Sequence, residues 1–297
     1  MKKFLSYLIL AILFISFGMA TFLYMGLNSF TVEKITDDLH VISGKGGNVA
    51  VLNTEEGAIL VDSMSFSMQG ERIRKKAEEL TNGKVIMVIN THYHLDHTHG
   101  NPAFEAGTRV VSTERTQHHL KTLDAKYWTG DAAQLLPNEV FDHARTLRIG
   151  GKTVQLLHPG KGHTDGDLVV LFVEDKTIAM GDLLFNNYYP NIDLEAGGSV
   201  QQWPATLDIV LELPFETVIP GHGELIDLQG VKRFQEFMAE LAALGKKAIN
   251  EGLSLQETLQ SAELTKDEGY EEIHFFVPLG INRDFVIRRA WQEASEL

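Results

Sequence analysis

The hydrophobic pattern of the chain changes at about residue 30. Before it, Phe4–Leu27 is an almost continuous apolar run, and no charged residue stands between Lys3 and Glu33. As a helix of about 24 residues this run would span roughly 36 Å, which exceeds the hydrocarbon core of a bilayer at about 30 Å. A buried helix of a globular domain fits poorly, because the run has no polar face. The pattern therefore predicts a helix that crosses a membrane.

The residues that flank this run predict its orientation. Lys2 and Lys3 precede it, which by the positive-inside tendency leaves the N-terminus in the cytoplasm and the rest of the chain outside. A cleaved signal peptide is the alternative, because Gly18–Ala20 supplies small residues at a suitable spacing. We favour an uncleaved anchor, since the apolar run continues past Ala20. Segment 1–29 is interpreted as a membrane anchor or signal segment, with the domain outside the cytoplasm.

Downstream, alternating and short continuous apolar runs predict one domain over residues 30–297. Its first part is expected to form four strands and then a helix that Asn82-Gly83 would end. The predicted strands are Thr31–Ile35, Leu39–Ser43, Asn48–Asn53 and Ala58–Asp62, and the predicted helix is Met68–Leu80. The chain from about residue 229 is predicted to be helical, and its last helix is Arg283–Ala294.

A buried strand is predicted to lead directly into a stretch rich in histidine. The short apolar sequence KVIMVIN is typical of a strand buried on both faces, and NTHYHLDHTHGNP follows it as residues 90–102. In an extended chain His92 and His94 point the same way, whereas Asp96 and His97 lie beyond the bend, so the two pairs can face two neighbouring ions. A solvated polar loop is the alternative interpretation of this stretch taken alone.

Three further residues of the metal-binding types follow apolar strands later in the chain. His163 lies in a glycine-bracketed turn between the predicted strands Thr153–His158 and Leu168–Val173. Asp182 ends the apolar sequence KTIAMGD, and His222 ends ETVIPGH. Each of them alone could be an ordinary loop histidine or a helix cap. Together with the histidine stretch they predict a metal site built from loops at strand ends.

Composition narrows the chemistry of such a site. The chain contains no cysteine, which excludes a disulfide, a zinc-thiolate site and a thiol nucleophile, so a metal must be bound by imidazole and carboxylate. Forty acidic and 26 basic residues give a formal net charge of -14, which repels phosphate backbones and argues against nucleic acid as a partner. Neither a nucleophile-elbow G-x-S-x-G nor a phosphate-binding glycine loop competes with the metal site. We therefore expect a small-molecule substrate.

The ordered set of motifs resembles the metallo-β-lactamase-fold hydrolases. Their signature H-x-H-x-D-H stands here as His92–His97, and the likeness extends over about residues 32–225. Its other motifs are Gly162-His163-Thr164, Gly181-Asp182 and Gly221-His222-Gly223. The resemblance implies an α/β fold that is a four-layer αββα sandwich, with the metals at one edge between two sheets. It also implies that Asp62, at a strand end, supports the ligands.

Carried over residue by residue, the resemblance implies two divalent metal ions, with zinc favoured over manganese or iron. The ligands of the first ion would be His92, His94 and His163. The ligands of the second would be Asp96, His97 and His222, with Asp182 bridging both. Two such ions can hold a hydroxide between them, and Asp96 is the candidate for orienting this water and accepting its proton. The implied activity is hydrolysis of an ester, thioester, lactone or amide bond.

Position 182 distinguishes branches of this family. The β-lactamases that use a cysteine ligand place it where Asp182 stands, whereas a bridging aspartate resembles the glyoxalase-II and lactonase branches. Hydrolysis of β-lactams stays open as an alternative. A persulfide dioxygenase is another, since it would bind a single iron through the positions of His92, His163 and Asp182. A third is an exported metal-binding protein without enzymatic activity.

The segment after Asp182 is expected to line the mouth of the site. Its candidates for hydrogen bonding or stacking with a substrate are Asn186, Asn187, Tyr188 and Tyr189. Tyrosines of this kind also serve as ordinary packing aromatics, which is the alternative interpretation. A helix over Gln201–Leu211 is predicted to follow.

Overall fold

The computed structural model describes residues 29–296 and, ahead of them, residues 14, 17–19, 21 and 25–27. Within these ranges no helix has both the length and the apolarity needed to cross a membrane. Most of the predicted membrane segment, Phe4–Leu27, lies outside the described residues. The anchor and the division of the chain at residue 30 therefore stay predictions.

Two sheets, of seven and five strands, form the centre of the described structure. The first sheet has the order β1-β2-β3-β4-β5-β6-β7, and its strands are β1 (Phe30–Lys34), β2 (Leu39–Gly44), β3 (Val49–Thr54), β4 (Gly57–Val61), β5 (Val85–Ile89), β6 (Arg109–Thr113) and β7 (Glu139–Phe141). The second has the order β12-β11-β10-β9-β8, and its strands are β8 (Ala144–Ile149), β9 (Lys152–Leu157), β10 (Val169–Phe172), β11 (Thr177–Phe185) and β12 (Thr217–His222).

The described residues also form helices, several of which pack on the outer faces of the two sheets. They are α1 (Ser67–Thr81), α2 (Leu95–Thr98), α3 (Glu114–Thr122), α4 (Trp203–Leu211), α5 (Leu228–Asn250), α6 (Leu255–Ser261) and α7 (Arg283–Ser295). On the first sheet, Ile73 and Ala77 of α1 pack into a cluster with outward-facing strand residues. On the second, Trp203 of α4, Phe234 of α5 and Val286 of α7 share one larger cluster.

The central core lies between the two sheets and follows from the alternation of side chains along each strand. In β3, Ala50 and Leu52 face this core, whereas Val49 and Val51 belong to the cluster under α1. In the second sheet, Val170 and Phe172 of β10 face the same core from the other side. Since residues two apart in a strand share a face, a strand that is apolar throughout is covered on both faces. The described structure is the predicted αββα sandwich.

Several predicted elements are confirmed with small changes at their ends. The helix predicted over Met68–Leu80 runs from Ser67 to Thr81, and Asn82 ends it in the left-handed conformation with φ 50°. The final helix reaches Ser295 instead of Ala294. The helix predicted to begin at Gln201 begins at Trp203, with a proline in its first turn. Strands β6, β7 and β8 and helix α3 were not predicted, because their short and partly polar sequences carry weak periodicity.

One edge of the sandwich collects several strand ends. Strands β4 and β5 pair in parallel, as do β11 and β12, so the carboxyl ends of each pair meet at the same edge of their sheet. Hydrogen bonds join the two sheets there: Asn48 N donates to Gly221 O at 2.8 Å, and Leu168 N donates to Thr91 O at 2.8 Å. The chain segments that follow these strand ends are therefore held close together.

Candidate metal centre

All seven predicted metal ligands converge at this edge. The structure groups them as His92, His94, His163 and Asp182 on one side and Asp96, His97 and His222 on the other. Within each group the candidate ligand atoms lie within 4.8 Å of one another. This division coincides with the two sets of ligands that the resemblance implies, and the assignment of each residue to an ion stays a prediction.

The histidine stretch supplies ligands to both groups because its backbone changes conformation within it. His94 is extended, with φ -62° and ψ 150°, and α2 begins at the next residue. His92 and His94 therefore precede the short helix, whereas Asp96 and His97 lie within it. The turn places the second pair of side chains beside His222, at the end of β12.

In the first group, three imidazoles face one another across short distances. Nε2 of His163 lies 2.7 Å from Nδ1 of His94. The ring centroid of His92 lies 5.0 Å from that of His94 and 4.6 Å from that of His163. The side chains of His92 and His163 are buried. Three ring nitrogens thus point toward one small volume.

In the second group, two imidazoles and a carboxylate meet at the boundary of the interior. Nε2 of His222 lies 3.2 Å from Oδ2 of Asp96, and Nε2 of His97 lies 3.7 Å from the same oxygen. The side chain of Asp96 is 27% exposed, whereas that of His97 is fully buried. Asp96 is therefore the most exposed ligand of this group, followed by His222 at 12%.

Asp182 lies between the two groups and presents a different oxygen to each. Its Oδ2 lies 3.7 Å from Nε2 of His163 and 3.8 Å from Nε2 of His92. Its Oδ1 lies 3.0 Å from Nε2 of His97 and 3.3 Å from Nε2 of His222. This arrangement places a single carboxylate between the two sets of imidazoles, as a bridging ligand requires.

The position of Asp182 along its strand differs from the prediction. We expected a strand end, but Asp182 lies inside β11, which continues to Phe185. The pairing of β11 with β12 shifts register on both sides of Gly181, which has φ +50°. This left-handed residue interrupts the regular alternation of side chains, a geometry that glycine adopts without steric cost. Asp182 is therefore positioned for the site by an irregularity inside the strand, and not by the end of the strand.

Asp62 has the supporting position that the resemblance implies. Its Oδ2 lies 2.8 Å from Nδ1 of His97, and it accepts hydrogen bonds from Thr91 N at 2.9 Å and Thr91 Oγ1 at 2.8 Å. Since Nδ1 of His97 is engaged by Asp62, Nε2 is the ring nitrogen left to face Asp182.

The loop after β11 supplies a comparable support that the sequence analysis missed. Oδ2 of Asp193 lies 2.9 Å from Nε2 of His94 and accepts a hydrogen bond of 2.5 Å from the Tyr93 hydroxyl. The backbone oxygen of Asn191 lies 2.7 Å from Nδ1 of His163. These contacts fix the ring orientations of two candidate ligands. No local pattern marks Asp193, since a single aspartate in a polar loop is common.

The pKa values of the buried groups follow from their mutual charges. Burial lowers the pKa of His92 well below its usual value, and burial and the neighbouring His94 lower that of His163 to about 4. Burial also lowers the pKa of His222, but the carboxylates of Asp182 and Asp96 outweigh this effect and raise the pKa to about 9. The first group thus favours neutral His92 and His163, whereas the second favours a protonated His222.

Three buried polar atoms provide a test of whether the site suits a metal. Nε2 of His92, Nε2 of His97 and Oδ1 of Asp182 are buried, and none has a partner in hydrogen-bond geometry within the described structure, although the last two atoms lie 3.0 Å apart. Unsatisfied buried polar atoms are costly and rare in proteins. All three point into the volume between the two ligand groups. Imidazole and carboxylate donors of this kind suit zinc, manganese or iron, so the residues fit divalent metal ions.

The four residues predicted at the mouth have different surroundings. Tyr188 lines a cleft of about 950 Å³ that also reaches Asp96 and His222. Tyr189 is buried; its ring lies 6.3 Å from that of Phe237 and its hydroxyl donates to Asp267, so it is a packing residue. The side-chain amide of Asn186 donates to Glu224 O. The side chain of Asn187 is exposed; its backbone, which has φ +61°, accepts from Glu271 N through the carbonyl oxygen.

Comparisons with known proteins agree with this geometry. Residues 42–222 match the family model described as "Metallo-beta-lactamase superfamily", which is more than half of the 297 residues. The chain is 30% identical over 183 residues to a "Metallo-beta-lactamase type 2" of Bacillus sp. (strain 170), covering 61% of this chain and 68% of that protein. It is 29% identical over 195 residues to a "Metallo-beta-lactamase type 2" of Bacillus cereus, covering 64% and 73%.

A solved structure shares the fold. The "Metallo-beta-lactamase from Pontibacter korlensis" superposes with a TM-score of 0.61 at 23% identity and covers 71% of this chain and 99% of that one. All three of these proteins carry the name of β-lactamases. The predicted glyoxalase-II or lactonase-like branch, which rests on Asp182, therefore stays a prediction.

Proposed function

This chain belongs to the metallo-beta-lactamase superfamily, and from that premise we propose that it is a hydrolase that uses two divalent metal ions to cleave an ester, thioester, lactone or amide bond. The observation that carries the proposal is the position of Asp182. Its two oxygens face two separate groups of imidazoles, one including His163 and the other including His222. A site for a single ion has no chemical need of the second group.

The two groups of ligands in the structure would each hold one metal ion, with zinc as the favoured metal. The ligands of the first ion would be His92, His94 and His163, those of the second Asp96, His97 and His222, and Asp182 would bridge both. Ions bound there would supply a water of lowered pKa as the nucleophile and positive charge opposite the developing oxyanion.

The protein side chains position this chemistry and handle its protons. Asp62 and Asp193 engage one nitrogen of His97 and His94 respectively, which leaves the other nitrogen of each ring free to bind a metal. Asp96 is the one carboxylate of the centre that lines the cleft, so it can orient the attacking water and accept its proton. No serine or cysteine nucleophile is needed.

Hydrolysis of β-lactams is a second candidate. The similarity to proteins named metallo-β-lactamases favours it. Asp182 argues for other carbonyl substrates, because the resemblance places a cysteine ligand at this position in the β-lactamases that use one. The two candidates share the same metal centre and differ only in the substrate.

The decisive experiment combines metal analysis with a substrate panel. The protein is purified without added ions, its metal content is measured, and the zinc-loaded form is assayed with esters, thioesters, lactones and β-lactams. We expect about two ions per chain, hydrolysis of at least one carbonyl class, loss of activity with a chelator and recovery with zinc or manganese. Asp96→Asn should lower kcat even where metal content is kept, because the amide cannot accept the proton of the water.

Other outcomes would point to the remaining alternatives. One iron per chain with uptake of oxygen during turnover would replace the hydrolase by a persulfide dioxygenase. Metal binding without turnover of any class would favour a non-enzymatic metal-binding protein. A preference for β-lactams over all other substrates would select the second candidate.

We further propose that the N-terminal segment anchors the protein in the cell membrane, with the catalytic domain outside the cytoplasm. The support is the charge-free apolar run that follows Lys2 and Lys3. A cleaved signal segment, which would leave a periplasmic or extracellular enzyme, is the alternative.

A further inference from the structure

The cleft beside the metal centre is larger than a small acyl group needs. It has a volume of about 950 Å³ and reaches from Asp96 and His222 to β1, where Phe30 and Glu33 line it. Pockets that bury drug-sized ligands have volumes of about 300–1,000 Å³. The cleft can therefore hold a long substituent in addition to the group that reacts.

A short hairpin, residues 273–279, closes one side of this cleft, and we call it the roof hairpin. Leu279 N donates to Ile273 O at 3.2 Å, and His274 pairs with Pro278 in an isolated β-bridge. Just before it, Glu271 N donates to Asn187 O at 2.9 Å. The roof hairpin is thus attached to the loop that follows β11, the strand that carries Asp182.

The tip of the roof hairpin approaches the opposite side of the cleft. The ring of Phe275 lies 6.2 Å from that of Phe66, which precedes α1. The ring of Phe276 lies 5.8 Å from Nζ of Lys45, in the turn after β2. The family-model match ends at residue 222, so this hairpin lies beyond the residues that the family model matches.

The lining of the cleft is mixed: besides apolar and charged side chains it contains uncharged polar ones, among them Ser29, Thr31, Ser43 and His274. The apolar lining residues are Phe30, Leu225, Ile273, Phe275 and Leu279. The acidic ones are Glu33, Asp96 and Glu224. Lys45 is the only lysine or arginine among the described lining residues. Three acidic side chains against one lysine disfavour a polyanionic substrate. The roof hairpin supplies three of the five apolar lining residues, Ile273, Phe275 and Leu279, so this part of the cleft favours an aliphatic chain.

The roof hairpin and Phe66, which packs against it, also expose apolar side chains. Val277 is 64% exposed, Leu279 50% and Phe66 42%. The segment that leads out of the predicted membrane anchor passes the same cleft, since Gly26 and Phe30 line it. Exposed apolar side chains beside a ligand groove are typical of a surface that meets a hydrophobic partner.

From these observations we propose that the substrate carries a long aliphatic chain, which lies under the roof hairpin while its carbonyl group reaches the metal centre. This inference rests on the proposed hydrolase function and adds the substrate class to it. The chain can belong to a lipid taken from a bilayer or to a free amphiphile, and the chemistry of recognition is the same for both.

The test compares esters that differ only in chain length, using full-length zinc-loaded protein. We expect the KM for p-nitrophenyl decanoate to be at least about 30-fold below that for p-nitrophenyl acetate, because each fully buried methylene is worth about fourfold in binding. Leu279→Ala should raise the KM for the decanoate about tenfold and leave the acetate within about twofold. Ile209→Ala is the matched control, since Ile209 is 45% exposed on α4 and does not line the cleft.

Direct binding keeps the inference testable without turnover. A dansyl probe with a decyl ether chain should bind about tenfold more weakly to Leu279→Ala than to the wild type, measured by anisotropy, and a methyl ether counterpart should bind poorly to both. Equal binding of the two probes, or equal KM values for the two esters, would overturn the inference while leaving the hydrolase proposal intact. Tight binding of the decyl probe without hydrolysis of any carbonyl substrate would overturn the hydrolase proposal and support the chain-binding cleft.

The source of the chain is decided by a further pair of assays. Hydrolysis of the decanoate embedded in phosphatidylcholine vesicles is compared with hydrolysis of the same ester in solution below its solubility limit. A higher rate with vesicles supports an aliphatic substrate taken from a bilayer. A higher rate in solution supports a free aliphatic amphiphile.

Discussion

The carboxylate of Asp193 lies 2.9 Å from Nε2 of His94, while Nδ1 of the same ring lies 2.7 Å from His163. Asp193 also accepts hydrogen bonds from the Tyr93 hydroxyl and from Ala196 N. A proton on Nε2 of His94 satisfies the carboxylate and leaves the lone pair of Nδ1 for a metal. His94 therefore has a defined ligand atom before any ion binds.

We predict that Asp193→Ala weakens zinc binding at the first ligand group by roughly 10- to 100-fold, since His94 loses the group that orients it. Competition with a chromophoric chelator measures the affinity. Asp208→Ala is the matched control, because Asp208 accepts a hydrogen bond from Gln235 on the surface, away from the centre. Unchanged affinity in Asp193→Ala would show that His94 keeps its orientation without this contact.

A second prediction concerns the residue between the two ligand groups. Asp182→Ala should lose metal at one site or both, and kcat should fall by roughly 10²-fold or more, about 2.7 kcal/mol in the barrier. The reason is that Asp182 faces both His163 and His222 and supplies negative charge to each group. Metal content by elemental analysis and kcat are measured on the same preparation. Full metal content with full turnover would replace the two-metal mechanism by a single-metal site on His92, His94 and His163.

A third prediction follows from the pKa of His222, which Asp182 and Asp96 raise to about 9 against the opposing effect of burial. At pH 7.5 the metal-free imidazole carries a proton that a metal must displace, so binding should release about one proton per chain or more. The apparent affinity should increase with pH up to about 9, above which this imidazole is already neutral. Calorimetry in buffers of different ionisation enthalpy measures the release. A binding enthalpy that is independent of the buffer would contradict the prediction.

A fourth prediction concerns the tight packing around Asp182. A Cβ added at Gly221 would lie 2.1 Å from Oδ1 of Asp182 and 2.6 Å from the backbone carbon of Gly181. Gly221→Ala should therefore displace the bridging carboxylate and lower both metal content and Tm. Gly83→Ala is the control, because the nearest atom to its Cβ would lie at 3.5 Å, an ordinary contact distance. Equal metal content in the two variants would show that the backbone yields at Gly221 without moving Asp182.

The last prediction concerns location. If the segment after Lys2 and Lys3 is an uncleaved anchor, protease added to intact spheroplasts should digest the domain, and the domain should fractionate with membranes. Full protection would contradict the orientation. Release of a soluble form that starts near Thr21 would contradict only the anchor and would support a cleaved signal segment.

Much of the molecule could be predicted from the sequence because the relevant signals are local. The helix that Asn82 ends was predicted within one residue at each end, since periodicity and a left-handed stop act over a few positions. The ligand set was predicted because imidazole and carboxylate side chains are clustered in the histidine stretch and recur after apolar strands. The motifs of the family occur in a known order along the chain, beginning with His92–His97, and this order assigned the separate residues to one site.

Other features depended on conformations that the side-chain pattern does not encode. The sequence analysis placed Asp182 at a strand end. In the structure Asp182 lies inside β11, next to the register shift at Gly181, and the strand continues to Phe185. Tyr188 and Tyr189 are adjacent and chemically alike, yet only the first lines the cleft and the second packs beside Phe237. Neighbouring residues of a loop acquire different roles through small differences in backbone direction.

The sequence by itself thus determined the types of the ligands, the strands that precede most of them and the apolar character of those strands, while the family resemblance implied the αββα sandwich. Only the tertiary structure decided that Asp193 meets His94 across 99 positions of the chain, and that the roof hairpin lies beside the metal centre. The physical reason is that periodicity and residue type constrain the length and the buried face of each element. The meeting of distant side chains depends on the joint packing of two sheets and their helices, which no local pattern contains.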